Sequence, residues 1–184
     1  MTFDYKGYEL KKIQLEPCFD QSIHLYTYIY KFYSPKTKYH YILRAEYHKN
    51  DVFAIKFYRK LDRGNENKYS KIINAGDMGN ILVTCASILP ILLKQDKYKY
   101  SSFCLAGASS IDNKGYVENK SNNQRFKIYS YIIKRKIGDL TFAHFEYPKN
   151  SSYMLINKRS SSDIKSKEKI IKNMFFKTYN TIDE

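Results

Sequence analysis

Alternating residues in the first third of the chain constrain the fold more than any other feature. Aromatic residues occupy every second position from Tyr26 to Phe32, and the run 39–48 alternates in the same way. Because successive side chains of a β-strand point to opposite faces of a sheet, this period of two predicts strands with one face in the core. The turn-forming segments 34–37 and 49–51 separate these runs and a third one at 53–57. The segment therefore predicts an antiparallel meander.

Apolar residues at helical spacing predict three helices in the rest of the chain. The first is a buried central helix from Met78 to about Lys94, with Asp77 as its N-cap and a kink or an end at Pro90. The second helix is expected at 124–137, where Gly138 is a natural stop. A terminal helix is expected between Ile164 and Tyr179, with an apolar stripe and a lysine-rich remainder.

Further strands are predicted at 8–15, 69–73, 101–106, 141–147 and 153–158. Strands followed by helices interspersed with more strands are typical of an α+β fold rather than an alternating α/β fold. The sequence thus predicts a mostly antiparallel sheet, made of the N-terminal meander and the later strands. About three helices are expected to pack mainly on one face of this sheet.

The division of the chain follows from this pattern. Residues 1–159 are expected to form a single α+β domain. Residues 160–184 are expected to form a basic amphipathic helix or tail, packed on the same domain. A helix of this kind also suits a partner's groove or a membrane surface if it does not pack on its own sheet.

The polar face of the strand at 39–48 is predicted to face solvent. His40, Arg44, Glu46 and His48 alternate there with apolar residues. An antiparallel sheet commonly has one solvated face, and this set forms no catalytic spacing.

The charge of the chain admits two interpretations. The formal net charge is +14, which favours polyanions such as nucleic acid, an anionic membrane or an acidic protein. However, nearly all basic residues are Lys, and Ile, Asn and Tyr are abundant with them, as an AT-rich genome produces without selection for binding. Arginine, whose planar fork matches phosphate geometry, is scarce.

Cysteine usage and the N-terminus indicate a cytoplasmic protein. The three cysteines, Cys18, Cys85 and Cys104, are widely spaced and form no zinc or disulfide pattern. The first residues lack the apolar run of a signal peptide, and the longest apolar stretch, 81–93, is too short to cross a bilayer. The sequence predicts no metal site, no cofactor and no catalytic residue with a known motif.

One enzymatic alternative stays open. His144 and Glu146 share a strand face and are capable of acid–base work beside a pocket. Ser109 lies in Gly107-Ala108-Ser109-Ser110 after a predicted strand, where small residues and hydroxyls are suited to lining a pocket. A small-substrate enzyme with a pocket near these three residues is therefore one hypothesis, and a cross-strand or solvated pair is the simpler interpretation.

Interleaved basic and aromatic residues favour a non-enzymatic module that binds single-stranded or structured RNA or DNA. Rings would stack on bases and cations would follow phosphates. The predicted contact residues are Lys56, Tyr58, Lys60, Lys99, Tyr100, Arg125, Lys127 and Arg135. The alternative is a protein-interaction or inhibitor module that binds an acidic partner protein.

Several segments between residues 69 and 158 resemble an uncharacterised family of small bacterial proteins. They are Tyr69 to Asp77, Ile81 to Cys85, Phe103 to Gly107, Asn123 to Tyr129 and Tyr153 to Lys158. The resemblance implies a bacterial origin and a shared domain. It implies no activity, substrate or catalytic residue, because none is established for that family.

Overall fold

A computed structural model describes residues 5–20, 22–71, 76–111 and 115–179. The strands are β1 (Lys11–Pro17), β2 (His24–Ser34), β3 (Tyr39–His48), β4 (Val52–Arg59), β5 (Ser102–Ala106), β6 (Phe142–Tyr147) and β7 (Ser152–Asn157). The helices are α1 (Met78–Ala86), α2 (Ile88–Leu93), α3 (Gln124–Ile137) and α4 (Ile164–Tyr179). None of these described helices is long and apolar enough to cross a membrane.

The strands form one seven-stranded sheet in the order β1-β2-β3-β4-β5-β7-β6. All neighbours are antiparallel except β4 and β5, which run parallel and are connected through α1 and α2. The predicted α+β class, the N-terminal meander and the mostly antiparallel sheet are confirmed. The parallel pair was not predicted, because the alternation within a strand carries no information about its direction.

The first face of the sheet carries the larger core, as the alternation predicts. Tyr41, Leu43 and Ala45 of β3 are fully buried there, together with Phe53 of β4. The apolar sides of α1, α2 and α3 complete this core. Burial of this apolar surface is the main driving force for folding.

The second face is not open throughout, because α4 covers part of it. Ile171, Met174 and Phe175 of α4 pack against a smaller core that includes Val52 and Ile156. Three helices therefore lie on one face and α4 on the other. The prediction that the polar face of β3 is solvated was wrong for Glu46 and His48, which are both buried.

The central helix breaks earlier than predicted. The sequence pattern places the kink at Pro90, whereas the helix ends at Ala86 and resumes at Ile88. Proline has no N–H, and its ring clashes with the carbonyl four residues earlier, here that of Ala86. The break therefore falls before Pro90, which itself lies in the first turn of α2, where a proline is tolerated.

Asp77 precedes α1 but does not cap it with its side chain, contrary to the prediction. Its buried carboxylate instead accepts hydrogen bonds from Tyr8 Oη at 2.8 Å, from the hydroxyl of Ser34 and from Asn80 Nδ2 at 2.8 Å. These bonds connect the N-terminal segment and the β2–β3 turn to α1. The strand predicted at 69–73 is absent from its described part, where Lys71 forms a single bridge with Ile111. Residues 72–75 lie outside the described residues.

Asn123 connects three segments at the start of α3. Its Oδ1 accepts a hydrogen bond from the Phe126 amide at 2.8 Å, and its Nδ2 donates to the Gly107 carbonyl at 2.5 Å. The backbone amide of Asn123 donates to the hydroxyl of Ser151 at 2.9 Å. A side chain at Gly107 would bring its Cβ within 2.7 Å of the Asn123 amide oxygen, so this contact requires glycine.

Replacing this cap is expected to destabilise the fold. Asn123→Ala removes an N-cap and leaves the buried Gly107 carbonyl without its donor, which costs about 2 kcal/mol in free energy of unfolding. Urea unfolding measures this change. Gln124→Ala alters the exposed neighbour and serves as the control, with an expected change within about 0.5 kcal/mol. Equal effects of the two substitutions would contradict the role of Asn123.

Candidate nucleic-acid interface

Two of the eight predicted contact residues are buried, and the prediction that they contact nucleic acid was wrong. Tyr58 is 6% exposed and packs with Ile29 and Ile42 on the second face. The rings of Tyr58 and Tyr69 pack edge to face, with their centroids 5.5 Å apart. A base has no access to the Tyr58 ring, so this residue supports the sheet instead.

Arg125 is also 6% exposed. Its guanidinium donates hydrogen bonds to the carbonyl of Tyr69 and, at 2.8 Å, to that of Lys71. The Cζ atom of this guanidinium lies 5.9 Å from the centre of the Phe57 ring. Burial lowers the pKa of Arg125 below its usual value, as expected for a cation removed from water. The residue therefore anchors the segment after β4 to α3.

Three of the remaining predicted residues lie on different parts of the fold. Lys56 projects from the second face, where its Nζ is 2.7 Å from a carboxylate oxygen of Glu46. Lys60 is exposed in the short helical turn after β4. Lys127 is exposed on α3, which covers the opposite face. These three cations do not form one surface.

Lys99 and Arg135 come to the same end of the sheet through Asn157 and Lys158. Asn157 Nδ2 donates to the Lys99 carbonyl at 3.2 Å. Lys158 Nζ donates to the carbonyl of Asp139 at 2.5 Å, two residues after α3 ends. The start of β5, the end of β7 and the end of α3 therefore meet. We call this surface the basic end; its exposed cations are Lys97, Lys99, Arg135, Lys136, Lys158 and Arg159.

Two exposed tyrosine rings accompany these cations. Tyr100 is 41% exposed, and Lys99 Nζ lies 5.1 Å from the centre of its ring. Tyr131 is 40% exposed, and its hydroxyl accepts a hydrogen bond from Arg135 at 2.7 Å. A ring beside a cation is the combination that single-stranded nucleic acid requires for base stacking and phosphate contact.

The basic end also carries exposed acids, namely Asp96, Asp139 and Asp163. Asp163 accepts a hydrogen bond from the Ser166 amide at 2.9 Å and so caps α4. The cations outnumber the carboxylates even when Asp51, which accepts a hydrogen bond from Ser101 at the start of β5, is counted, so this surface is net positive. The excess gives it an attraction for polyanions that weakens with salt.

Sequence reasoning missed Tyr131, Lys97, Lys136, Lys158 and Arg159. Helical spacing was sufficient to find Tyr131, because residues 127, 131 and 135 lie four apart and share one side of α3. Lys97 belongs to the interleaved run Lys97-Tyr98-Lys99-Tyr100 and was left out of the predicted contact residues, whereas its position 4.8 Å from the centre of the distant Tyr26 ring is visible only in the tertiary structure. Lys158 and Arg159 join the surface only through the pairing of β6 with β7.

The structure does not bring Ser109, His144 and Glu146 together. His144 forms hydrogen bonds with the Tyr153 hydroxyl at 2.7 Å and with the Gly138 carbonyl at 2.5 Å. Glu146 forms an ion pair with Lys134 of α3. Ser109 lines a cavity on the second face, and neither His144 nor Glu146 is among the residues of that cavity. The cavity lined by Ser109 is therefore not shared with His144 or Glu146.

Comparison with protein-family models, with curated proteins and with solved structures finds no match to this chain. The resemblance to an uncharacterised family of small bacterial proteins therefore stays a prediction.

Proposed function

We propose that this protein binds single-stranded nucleic acid through the basic end. Two hydrogen bonds support the proposal: Asn157 donates to the Lys99 carbonyl and Lys158 donates to the Asp139 carbonyl. They place the loop of Lys99 and Tyr100 at the same end of the sheet as the last turn of α3, which carries Arg135. The cations contact phosphates, and the rings of Tyr100 and Tyr131 stack on unpaired bases. A duplex offers no unstacked base to these rings, so the single strand is preferred.

Binding at several salt concentrations tests this proposal. Labelled single-stranded RNA, single-stranded DNA and duplex DNA are titrated with the full chain. If all six cations contact phosphates, the logarithm of the affinity for a single strand falls with the logarithm of salt concentration with a slope of about −4. Arg135→Ala is expected to reduce this slope by about 0.7.

The tyrosine contribution is tested separately with the double variant Tyr100→Ala and Tyr131→Ala. Stacking contributes about 1–3 kcal/mol per base, so the affinity for single strands is expected to fall at least tenfold with little change in the salt slope. Lys60→Ala removes an exposed cation outside the basic end and is the matched control. A loss of affinity in Lys60→Ala equal to that in Arg135→Ala would show indiscriminate attraction and contradict the proposed surface.

An acidic partner protein is the alternative occupant of the same surface. Its signature is a stoichiometric complex that survives nuclease treatment and is lost in Arg135→Ala. Weak, indiscriminate nucleic-acid binding that disappears at physiological salt would mean that the net charge reflects codon composition.

A further inference from the structure

A cavity of about 440 Å³ lies on the second face, at the opposite end of the sheet from the basic end. It borders the carboxyl end of β5 and the middle of the parallel strand β4, and it continues under α4. Its volume falls in the range of small-molecule sites, which extends from roughly 300 to 1,000 Å³. No part of the proposed nucleic-acid interface contributes to it.

Small side chains create this space. Ala54 and Cys104 face each other across β4 and β5, and Ala106, Gly107 and Ala108 continue the wall. Larger residues at these positions would fill the gap between the sheet and α4. The small residues of the segment 107–109 thus line a pocket.

The interior of the cavity is mainly apolar. Met154 of β7 and Phe175 of α4 lie on its walls, together with Ala54 and Cys104. A surface of this kind favours the hydrocarbon part of a ligand, because burying each methylene group removes apolar area from water.

The charged side chains that line the cavity are all positive. Among its described residues they are Lys56, Lys120 and Lys172; the carboxylates of Glu46 and Glu168 contact the lining residues Lys56 and Tyr147 but do not themselves line the cavity. The ammonium of Lys56 forms an ion pair with Glu46, and the same carboxylate forms a second ion pair with Arg44 Nε at 3.3 Å. Lys172 lies on α4 with its Nζ 5.4 Å from the centre of the Tyr147 ring. The neighbouring groups of Ser109, Asn150 and Ser152 supply uncharged polar contacts.

We propose that this cavity binds an amphipathic monocarboxylate, with its hydrocarbon chain against Met154 and Phe175 and its carboxylate beside Lys172. The apolar space limits the length of the ligand's hydrocarbon chain, and the lysines favour a negatively charged head group. The proposal is independent of nucleic-acid binding, since no residue of the basic end lines the cavity.

Three ten-carbon probes that differ in head group test the proposal: decanoate, decanol and decyltrimethylammonium. Calorimetric titration of the full chain is expected to show the tightest binding for decanoate, at least tenfold weaker binding for decanol and none for the cation. Shorter saturated carboxylates are expected to lose about fourfold in affinity for each methylene removed. Equal binding of decanoate and decanol would overturn the assigned carboxylate contact, and absence of binding by all three would overturn the cavity as a ligand site.

Two lysines of α4 provide matched variants. Lys172→Met keeps a long side chain and removes the charge, and we expect at least tenfold weaker decanoate binding with unchanged decanol binding. Lys177→Met removes an exposed charge on the same helix outside the cavity, and we expect no change. Equal losses in the two variants would show attraction to the overall charge and overturn the site.

Cys104 reports where the probe binds. Its thiol lines the cavity, whereas Cys18 lies in the segment after β1. Decanoate is expected to slow alkylation of Cys104 at least fivefold and to leave Cys18 unaffected, as measured by mass spectrometry of peptides. Binding without protection of Cys104 would place the ligand elsewhere and overturn the proposal.

Discussion

Arg125→Ala is expected to lower the free energy of unfolding by about 3 kcal/mol. The substitution removes two hydrogen bonds from a charged donor to the carbonyls of Tyr69 and Lys71, each worth about 1.5–3 kcal/mol. It also removes the contact with the Phe57 ring. The cost of burying the guanidinium offsets part of this loss, because its Nε has no hydrogen-bond partner within the described residues.

The same variant separates structural from binding roles on one helix. Arg125 and Arg135 both belong to α3, but Arg125 is buried and Arg135 is exposed. We expect Arg125→Ala to reduce stability without changing the salt slope of nucleic-acid binding, and Arg135→Ala to do the reverse. Urea unfolding measures the first quantity and binding titrations on the folded variants measure the second. A reduced salt slope in folded Arg125→Ala would contradict the buried position of this side chain.

Acidification from pH 6.5 to pH 4 is expected to cost about 3 kcal/mol in free energy of unfolding through His48 alone. His48 is fully buried, and its Nδ1 donates a hydrogen bond to the Glu46 carbonyl at 2.9 Å. Burial lowers the pKa of His48 to about 4, and the nearby His24 and Lys56 also lower it. The backbone bond and the Glu46 carboxylate act in the opposite direction but are weaker.

The sign follows from proton binding in the two states. Between pH 6.5 and 4 the unfolded chain has His48 protonated and the folded chain does not, so the unfolded state binds more protons. The free energy of unfolding therefore falls as the pH falls through this window. The pKa of Glu46 is also below its usual value: burial alone would raise it, but Lys56 and Arg44 outweigh burial. Its protonation adds a further loss below pH 4.5.

Urea unfolding at several pH values between 4 and 7 measures this dependence. His48→Gln removes the titrating group, so its stability is expected to vary by about 3 kcal/mol less across the window than that of the natural chain. His40→Gln changes an exposed histidine of the same strand and is expected to leave the pH dependence intact. An unchanged pH dependence in His48→Gln would show that other groups control the acid response.

The arrangement of β3 shows how much of the fold is predictable from the sequence. Its period of two places Tyr41, Leu43 and Ala45 on one face and Ile42, Arg44 and Glu46 on the other, and the structure confirms this division. The same pattern does not reveal which elements cover each face. His48 is buried because Phe175 of α4, more than 100 residues later in the chain, packs against its ring. Glu46 is buried beside Arg44 and Lys56, with which it forms ion pairs.

The helices show the same limit. The bounds of α3 were predicted from its apolar spacing and the Gly138 stop, and the structure confirms them. The Asn123 cap at its start was not predicted. Spacing also places Arg125 beside the apolar stripe but does not show whether its charge faces water or a carbonyl. The segment before α1 supplies the carbonyls of Tyr69 and Lys71, so only tertiary contacts determine that Arg125 is structural.

Local chemistry in the sequence thus determined most of the strands, most helix bounds and the antiparallel meander, because each depends on residues close together in the chain. Tertiary structure alone decided the parallel pairing of β4 with β5, the position of α4 and the burial of Tyr58 and Arg125. It also brought Lys99 and Arg135 to one end of the sheet and opened the cavity under α4 at the other. These features depend on contacts between residues that are distant in the sequence, and the periodicity within one segment does not predict such contacts.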